Sequence, residues 1–299
     1  MKKRVITMGN FDGCHQGHQA LFRAVKQYAL EHDLTPTVVS FEPHSRYVLN
    51  QPGDPLLLTT TAEKRDFVNS LGLEFVLMPF SRDLAKLPYD AFVRQELIGK
   101  LHMKAMFFGH DHCFGAFGKG NFETITESFP ELDTHRLSIV LHKGERVTSS
   151  SVREALLNGD VKKAQTYLAH PYRLPGTVVG GKRLGRTIGF PTANLMTEEF
   201  KFIPQRGVYV ASATLADGRN FRAVVNIGIQ PSVGNQPLAI EAHLLHFNED
   251  IYGQYMTLDL LDYLRPEQKF PSLDDLVRQI SLDAATAEAF NGTDAHWAD

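Results

Sequence analysis

The chain has 299 residues, enough for about two domains of ordinary size. With a net charge of −3 and 22% charged residues it has no basic surplus to grip nucleic acid or an anionic membrane surface, and no apolar run of about 18 residues to span a bilayer. Its two cysteines, Cys14 and Cys113, are too few for a secreted disulfide framework, and the opening Met1-Lys2-Lys3-Arg4 leads into a short mixed strand instead of a signal-peptide core, so a cytoplasmic protein is expected.

Arg4-Val5-Ile6-Thr7-Met8 reads as a strand ending at Gly9. After Gly9-Asn10-Phe11-Asp12-Gly13-Cys14-His15-Gln16-Gly17-His18 a helix follows from near Gly17, its apolar positions Ala20, Leu21, Ala24, Val25 and Tyr28 falling on one face. Strand, glycine-bearing turn and helix N-terminus in succession make an anion site, because free backbone N–H groups and the positive end of the helix dipole point the same way. His15 and His18 add hydrogen-bonding or positive groups there, and nucleotide phosphate is the expected ligand. Taken alone, the two histidines would serve equally as surface residues or as ligands of a metal.

Strands and helices then alternate. Thr35 to Phe41 is a strand; Thr60-x-x-Glu63 is a capping box opening a helix to Leu71, with Gly72 as its stop. Phe75 to Met78 is a third strand, and Pro88 starts a helix with Phe92, Val93, Leu97 and Leu101 inward. Ala105 to Phe108 and Leu137 to Val140 are the fourth and fifth strands. This alternation predicts an α/β unit with a Rossmann-like parallel sheet, whose ligand sits beyond the carboxyl ends of the strands. Three polar clusters fall at that rim: Glu42-Pro43-His44, the loop from Gly109 to Gly115, and Thr148-Ser149-Ser150 with Arg153. Hydroxyls and N–H groups at a helix start hold phosphate oxygens, and a guanidinium offers paired donors to a leaving pyrophosphate; a plain serine N-cap beside a solvated arginine would look the same. His110, His112 and Cys113 together are also compatible with zinc, although no fourth ligand stands at a sensible spacing.

Asn158-Gly159-Asp160 breaks the chain between two helices, and Pro171 and Pro175 bracket a domain boundary, giving 1–170 and 171–299. Beyond it Tyr209 to Leu215, Phe221 to Ile227, Ile240 to Phe247 and Tyr255 to Leu261 read as strands, with Asp217-Gly218 as a hairpin turn. An antiparallel β-barrel or sandwich follows, closed by a helix that Ser272-x-x-Asp275 caps and whose Leu273, Leu276, Val277 and Ile280 would face the barrel. Residues after about Asn291 carry little to anchor them. Between Gly176 and Asn194, glycines at 180, 181, 185 and 189 permit a backbone wrapped around phosphates, though hairpin glycines would suffice.

These motifs, in this order, resemble bacterial bifunctional riboflavin kinase/FAD synthetases. The first domain carries the G-x-F-D-G-x-H-x-G-H pattern of nucleotidyltransferases, a G-x-D/N-F-x-F-G loop at Gly109 to Gly115, and an I-S-S-T-x-x-R segment at Val147 to Arg153. The second carries Phe190-Pro191-Thr192-Ala193-Asn194, matching the P-T-A-N signature of riboflavin kinases, and Glu241-Ala242-His243-Leu244-Leu245. Asn226-Ile227-Gly228-x-x-Pro231, Asp250 to Gly253 and Arg265 to Phe270 extend the match, while Ser45, His112, Gln230 and His246 depart from the family pattern.

The resemblance implies an N-terminal FAD synthetase domain and a C-terminal riboflavin kinase barrel, with ATP, riboflavin and FMN as substrates, FAD as product and Mg²⁺ as the metal. His15 and His18 would stabilise phosphate charge. Gly9, Phe11, Asp12, Gly17, Asp111, Thr148, Ser149 and Ser150 would bind nucleotide, Arg153 would hold pyrophosphate, and Asp111 would also orient flavin. In the kinase, Gly181, Gly185 and Gly189 would wrap the phosphates and Arg265 would touch flavin. Thr192 and Asn194, as hard oxygen donors, would hold Mg²⁺, and Glu241 would be general base, although an exposed strand carboxylate is the commoner fate of a Glu. No nucleic-acid or membrane partner is expected, and the chain would be a monomer or weak homo-oligomer. A single-activity enzyme with another nucleotidyl acceptor, or a flavin sensor without catalysis, remain open from the residues.

Overall fold

The computed structural model describes residues 2–49, 56–181, 185, 188–229 and 238–292. Lys182, Arg183, Leu184, Arg186 and Thr187 of the glycine-rich run, Gln230, Pro231 and the tail beyond Gly292 lie outside the described residues.

β1 (Arg4–Met8) takes the centre of the first sheet because Val5, Ile6, Thr7 and Met8 are all buried, as a strand covered on both faces requires. There follow α1 (Gln16–His32), β2 (Thr35–Glu42), the short α2 (Ser45–Val48), α3 (Thr61–Ser70) and β3 (Glu74–Pro79). Next come α4 (Arg82–Lys86), α5 (Tyr89–Phe92) running into a wider π-type segment (Val93–Lys100), β4 (Met103–Phe108), α6 (Phe122–Ser128) and β5 (Asp133–Arg136). The strand order is β3-β2-β1-β4-β5 and every neighbouring pair is parallel. The chain goes one way from β1 to β2 and β3, then returns to lay β4 on the other side. The strand order therefore reverses beside β1, and a crevice is expected beyond the carboxyl ends of β1 and β4.

The capping box at α3 is complete: Thr60 Oγ1 accepts from Glu63 N at 3.2 Å and Glu63 Oε2 accepts from Thr60 N at 2.7 Å. Met8, Met106, Phe108, Leu97 and Phe129 fill the core on one side of the sheet. The fifth strand corrects the sequence expectation: it is Asp133–Arg136, and Leu137 to Val140 is not a strand. β5 is a sheet edge whose pairing with β4 (Ala105↔Asp133) and side contacts, such as His135 stacked on Phe107, choose polar residues that carry no apolar period. A small hairpin, β6 (Leu141–His142) and β7 (Glu145–Arg146), precedes α7 (Ser149–Leu157).

The described chain divides into two units, one ending at Ser149 and the next beginning at Ser150. In the second, α8 (Val161–Leu168) leads into β8 (Tyr172–Val179), β9 (Ala193–Met196), β10 (Gly207–Leu215), β11 (Asn220–Ile229), β12 (Leu238–Leu244) and β13 (Tyr255–Arg265). These close a barrel in the order β10-β11-β12-β9-β8-β13, with antiparallel neighbours throughout. Two of the six strands are new to the structure. Pro175 and Gly176, read from sequence as boundary and loop, lie within β8, opposite Thr257 and Met256. Ala193 and Asn194 belong to β9, too short to show a period. β12 stops at Leu244, three residues before Phe247, because His246 adopts a left-handed conformation (φ 57).

The closing helix α9 (Leu273–Glu288) starts at Ser272, whose hydroxyl accepts from Asp275 N. It packs through Ala284 and Ala287 against Val208, Val210, Val224 and Leu261. Leu273, expected to face the barrel, is 60% exposed; Leu276 and Ile280 line a cavity instead. The helix meets the barrel by its C-terminal half, so its first turn stands clear.

Candidate functional site

In the first unit Gly9 N donates to Val39 O at 3.0 Å, continuing the β1–β2 ladder one residue further. The chain then turns sharply: Phe11 (φ 47) and Cys14 (φ 44) both hold left-handed conformations unusual for side-chain-bearing residues, and both are buried. Such strain persists where the surroundings over-determine it, and here they do. Asp12 Oδ1 accepts from Thr59 N at 3.2 Å, Gly13 N donates to Thr59 Oγ1 at 2.9 Å, and the Lys64 ammonium donates to Asn10 O at 3.1 Å. The Ser149 hydroxyl, at the end of this unit, donates to Asp12 O at 2.8 Å.

His15 is the N-cap of α1 and makes no side-chain capping bond. Its ring stacks on His18 with centroids 3.6 Å apart and planes 21° from parallel, while Phe11 meets His18 edge-on at 5.3 Å. Gly17 allows this: a Cβ there would come within 3.2 Å of the His15 ring. Burial, then His15 and Lys64, hold the His18 pKa well below the usual imidazole value. His18 Nδ1 is buried without a hydrogen-bond partner. The Lys64 ammonium is likewise pushed down by burial, against the pull of Asp12 and Glu63. A stacked imidazole pair, with burial disfavouring protonation of His18, beside a helix N-terminus and a buried lysine, suits an anion that brings the compensating charge with it.

The remaining candidates that the sequence placed in the first domain are less enclosed. Thr148 is half-buried just before α7. Ser150 and Arg153 fall in the second unit: Ser150 is exposed in the first turn of α7, and the Arg153 guanidinium lies 6.0 Å from the Phe202 ring centroid. Asp111 is exposed and paired with Arg146, which holds its carboxyl below the usual carboxylate range. His112 lies 5.9 and 5.7 Å from the rings of Phe108 and Phe114, and burial pushes its pKa down to about 4. Among the described residues, no three His, Cys, Asp or Glu side chains group as metal ligands.

The second unit builds its polar centre on strand faces. Asn194 on β9 pairs with Glu241 on β12, and Glu241 pairs in turn with Asn226 on β11. Residues directly opposite across a ladder share a face at Cβ separations of roughly 4.5–5.5 Å, so the three form one row across three strands. Gly181 lies against this row and Gly185 lies beside Phe190 and Thr192. A Cβ on Gly181 would overlap the Asn194 amide, and one on Gly185 would overlap Phe190 O and stand 3.5 Å from Thr192 Oγ1. Gly189 turns the chain in a left-handed conformation (φ 88).

A cavity of about 320 Å³ opens beside the row, bounded by Thr192, Asn226, Glu241 and Arg265 and walled by Phe190, Val208, Phe270, Leu276 and Ile280. Thr192 also lines a smaller cavity of about 70 Å³, whose far wall is the segment from Phe247 to Tyr252. Arg265 does not reach freely into the larger cavity. Its Nε and Nη2 donate to the buried Asp283 carboxylate at 3.1 and 2.7 Å, and Nη1 donates to Pro266 O at 3.2 Å.

Several groups escaped the sequence reading. Asn226 was seen only as part of a motif; its place in the row depends on the β11–β12 register. The sequence reading singled out neither Asp283, on the wall of the larger cavity, nor Lys64, buried under the turn of the first unit. Its position directly after the capping-box Glu63 was the available signal, since that box fixes which face of α3 turns inward.

The comparisons bear on both units. The family model described as FAD synthetase matches residues 1–151, and that described as riboflavin kinase matches residues 168–291. The chain is 36% identical to the bifunctional riboflavin kinase/FMN adenylyltransferase of Haemophilus influenzae, covering 95% of this chain and 93% of that protein. Against the proteins of the same name from Escherichia coli K12 and Bacillus subtilis the identities are 35% and 34%, covering 93% and 92% of their lengths. A crystal structure from Streptococcus pneumoniae described as a macrolide-efflux protein superposes with a TM-score of 0.89 at 30% identity, covering 97% of this chain and 95% of that one. In the present chain no helix among the described residues is long and apolar enough to cross a membrane.

Proposed function

Starting from the fact that this chain belongs to the bifunctional riboflavin kinase/FMN adenylyltransferases, phosphorylating riboflavin to FMN and converting FMN to FAD, we propose which residues perform each step. The adenylyltransferase is assigned to 1–170 and the kinase to 171–299, in keeping with the ranges of the two family models. Both reactions consume ATP and call for a divalent metal, for which Mg²⁺ is proposed; a cytoplasmic location suits both.

In the kinase, riboflavin occupies the larger cavity, its ring against Phe190, Phe270, Leu276 and Ile280. ATP enters from the smaller one, and Thr192, common to both, stands where the phosphoryl group crosses. Glu241 accepts the proton of the ribityl hydroxyl, whose oxygen attacks the γ-phosphorus as ADP leaves. Thr192 and Asn194 would hold Mg²⁺. Their oxygens are hard donors, and the lack of side chains at Gly181 and Gly185 keeps them uncrowded, since a Cβ there would come within 3.0 Å of Asn194 Oδ1 and 3.5 Å of Thr192 Oγ1 respectively. When bound, the ion screens the phosphate charge. The observation that carries this assignment is the row Asn194–Glu241–Asn226 on three neighbouring strands, of which the Glu241 carboxylate and the Asn226 amide line the cavity.

In the adenylyltransferase, the phosphate of FMN attacks the α-phosphorus of a second ATP and pyrophosphate leaves, without a covalent enzyme intermediate. His15 and His18 sit at the N-terminus of α1, and incoming phosphate charge favours their protonated forms, so they gain charge as it develops. Gly9, Phe11, Asp12, Gly17, Thr148 and Ser149 frame the phosphates, and Asp111 orients nucleotide or flavin.

Chromatography of products after incubation with riboflavin, ATP and Mg²⁺ tests the reading: FMN should appear first and FAD after it. Loss of both FMN formation from riboflavin and FAD formation from supplied FMN through a single substitution in one unit, in a protein that remains folded, would overturn the assignment of separate sites.

A further inference from the structure

Resting on the assignment of the smaller cavity to the kinase's ATP, we infer that Arg219 is a positioning residue for that nucleotide, acting through Glu249 from outside the cavity wall. The segment from Phe247 to Tyr252 supplies half of that wall. It is a loop: the chain leaves β12 where Leu245 N donates to Arg222 O at 2.8 Å, and rejoins the barrel where Gly253 N donates to Val178 O at 2.8 Å. Between these points Glu249 ties it to the β10–β11 hairpin.

Arg219 stands beside the Asp217-Gly218 turn of that hairpin. Its Nη1 and Nη2 donate to Glu249 Oε1 and Oε2 at 2.6 and 2.9 Å, and its Nε donates to Asp217 Oδ2 at 2.7 Å. Backbone N–H of the same residue donates to Asp217 Oδ1 at 3.0 Å, fixing the base of the side chain. The guanidinium carbon lies 5.8 and 6.0 Å from the ring centroids of Phe221 and Phe247, which meet edge to face at 4.9 Å. Every edge of the fork is engaged and a ring flanks it on the loop side.

An isolated surface ion pair contributes little. This one is bidentate, shares its arginine with a second carboxylate and is flanked by two rings, a geometry that holds shape. Its consequence for nucleotide binding is twofold. Glu249 and Asp250 are adjacent carboxylates on the wall of a cavity that receives a polyanion, and Arg219 neutralises the first of them. It also fixes the loop whose Phe247 and Tyr252 face that cavity.

The test is steady-state kinetics of the full chain. With riboflavin saturating, Arg219→Ala should raise KM for ATP about 5-fold with kcat within about twofold, and leave KM for riboflavin unchanged. FAD formation from supplied FMN, which uses the other unit, should not change. In a Glu249→Ala background the same substitution should have no further effect, and the gap between Arg219→Ala and the parent should narrow as salt is added. An unaltered KM for ATP, an equal rise for riboflavin, or the same rise in the Glu249→Ala background would overturn the inference. If Thr192→Ala left KM for ATP unchanged, the cavity assignment itself would be the part that failed.

Discussion

The parallel sheet and the barrel assemble polar centres in opposite ways. In the sheet unit the residues sit on loops beyond strand ends, and one continuous stretch from Gly9 to His18 provides the turn, the helix start and both imidazoles. In the barrel unit they sit on strand faces, and Asn194, Glu241 and Asn226, spread over almost fifty residues of chain, meet only through ladder register. A site at strand ends tolerates changes in the sheet below it, whereas a site on strand faces shifts whole if one strand slips by a residue. The first is therefore sensitive to its own helix start, and the second to its neighbours.

Substitutions at the two centres give the sharpest separation. Glu241→Gln should reduce FMN formation by roughly 10²–10⁴-fold while FAD is still made from supplied FMN. His18→Ala should do the converse, cutting FAD formation by roughly 10²–10³-fold and letting FMN accumulate. Rates of the two half-reactions, measured separately, decide it; equal losses in both from either change would erase the contrast.

Gly181→Ala probes the dependence of the barrel site on close packing. The added methyl group would overlap the Asn194 amide, so kinase activity should drop about 10–100-fold with the melting temperature little altered and adenylyl transfer intact. Wild-type kinase rates in this variant would mean that Asn194 is free to move aside without consequence.

The third contrast is in acid sensitivity. His112 is held neutral in the fold by burial, with a pKa of about 4 against roughly 6.5 in the unfolded chain. Protonation therefore favours the unfolded state: the contribution is whole above about pH 6.5 and is lost progressively as pH falls towards 4. His112→Phe should flatten the pH dependence of stability in that window, by on the order of 3 kcal/mol at its acid end. Parallel unfolding curves at pH 7 and pH 5 for both proteins would show that the ring does not matter.

The smallest effect is structural. Thr60→Ala removes half of the capping box of α3 and should cost about 1 kcal/mol in denaturant unfolding, both activities surviving. No change in the unfolding midpoint would mean that Glu63 alone holds that helix end.

Most of the sheet unit was legible. Buried parallel strands are continuous apolar runs and helices announce their starts, as Thr60-x-x-Glu63 does. The edge strand Asp133–Arg136 was not, because half-exposed polar residues carry no period and only pairing with β4 makes them a strand. In the barrel the long strands were visible by alternation. β8 and β9 were hidden, one behind Pro175 and the other behind its brevity. Leu273 misled for a related reason: a helix's apolar stripe does not say which half of it reaches the barrel.

What the chain determines by itself is local: which segments are strands and helices, where a phosphate-sized turn precedes a helix, and which short motifs place histidines, hydroxyls and a carboxylate within it. These follow from periodicity and from the backbone groups a helix start leaves unpaired, and both are readable within a dozen residues. Tertiary structure alone decided that His15 and His18 stack, that Lys64 is buried beneath their turn, that Asn226 joins Glu241 and Asn194 in one row, and that Asp283 holds Arg265. Each depends on residues far apart in the chain meeting across a packed interface or a strand register, and a local pattern carries no record of which distant partner will be there.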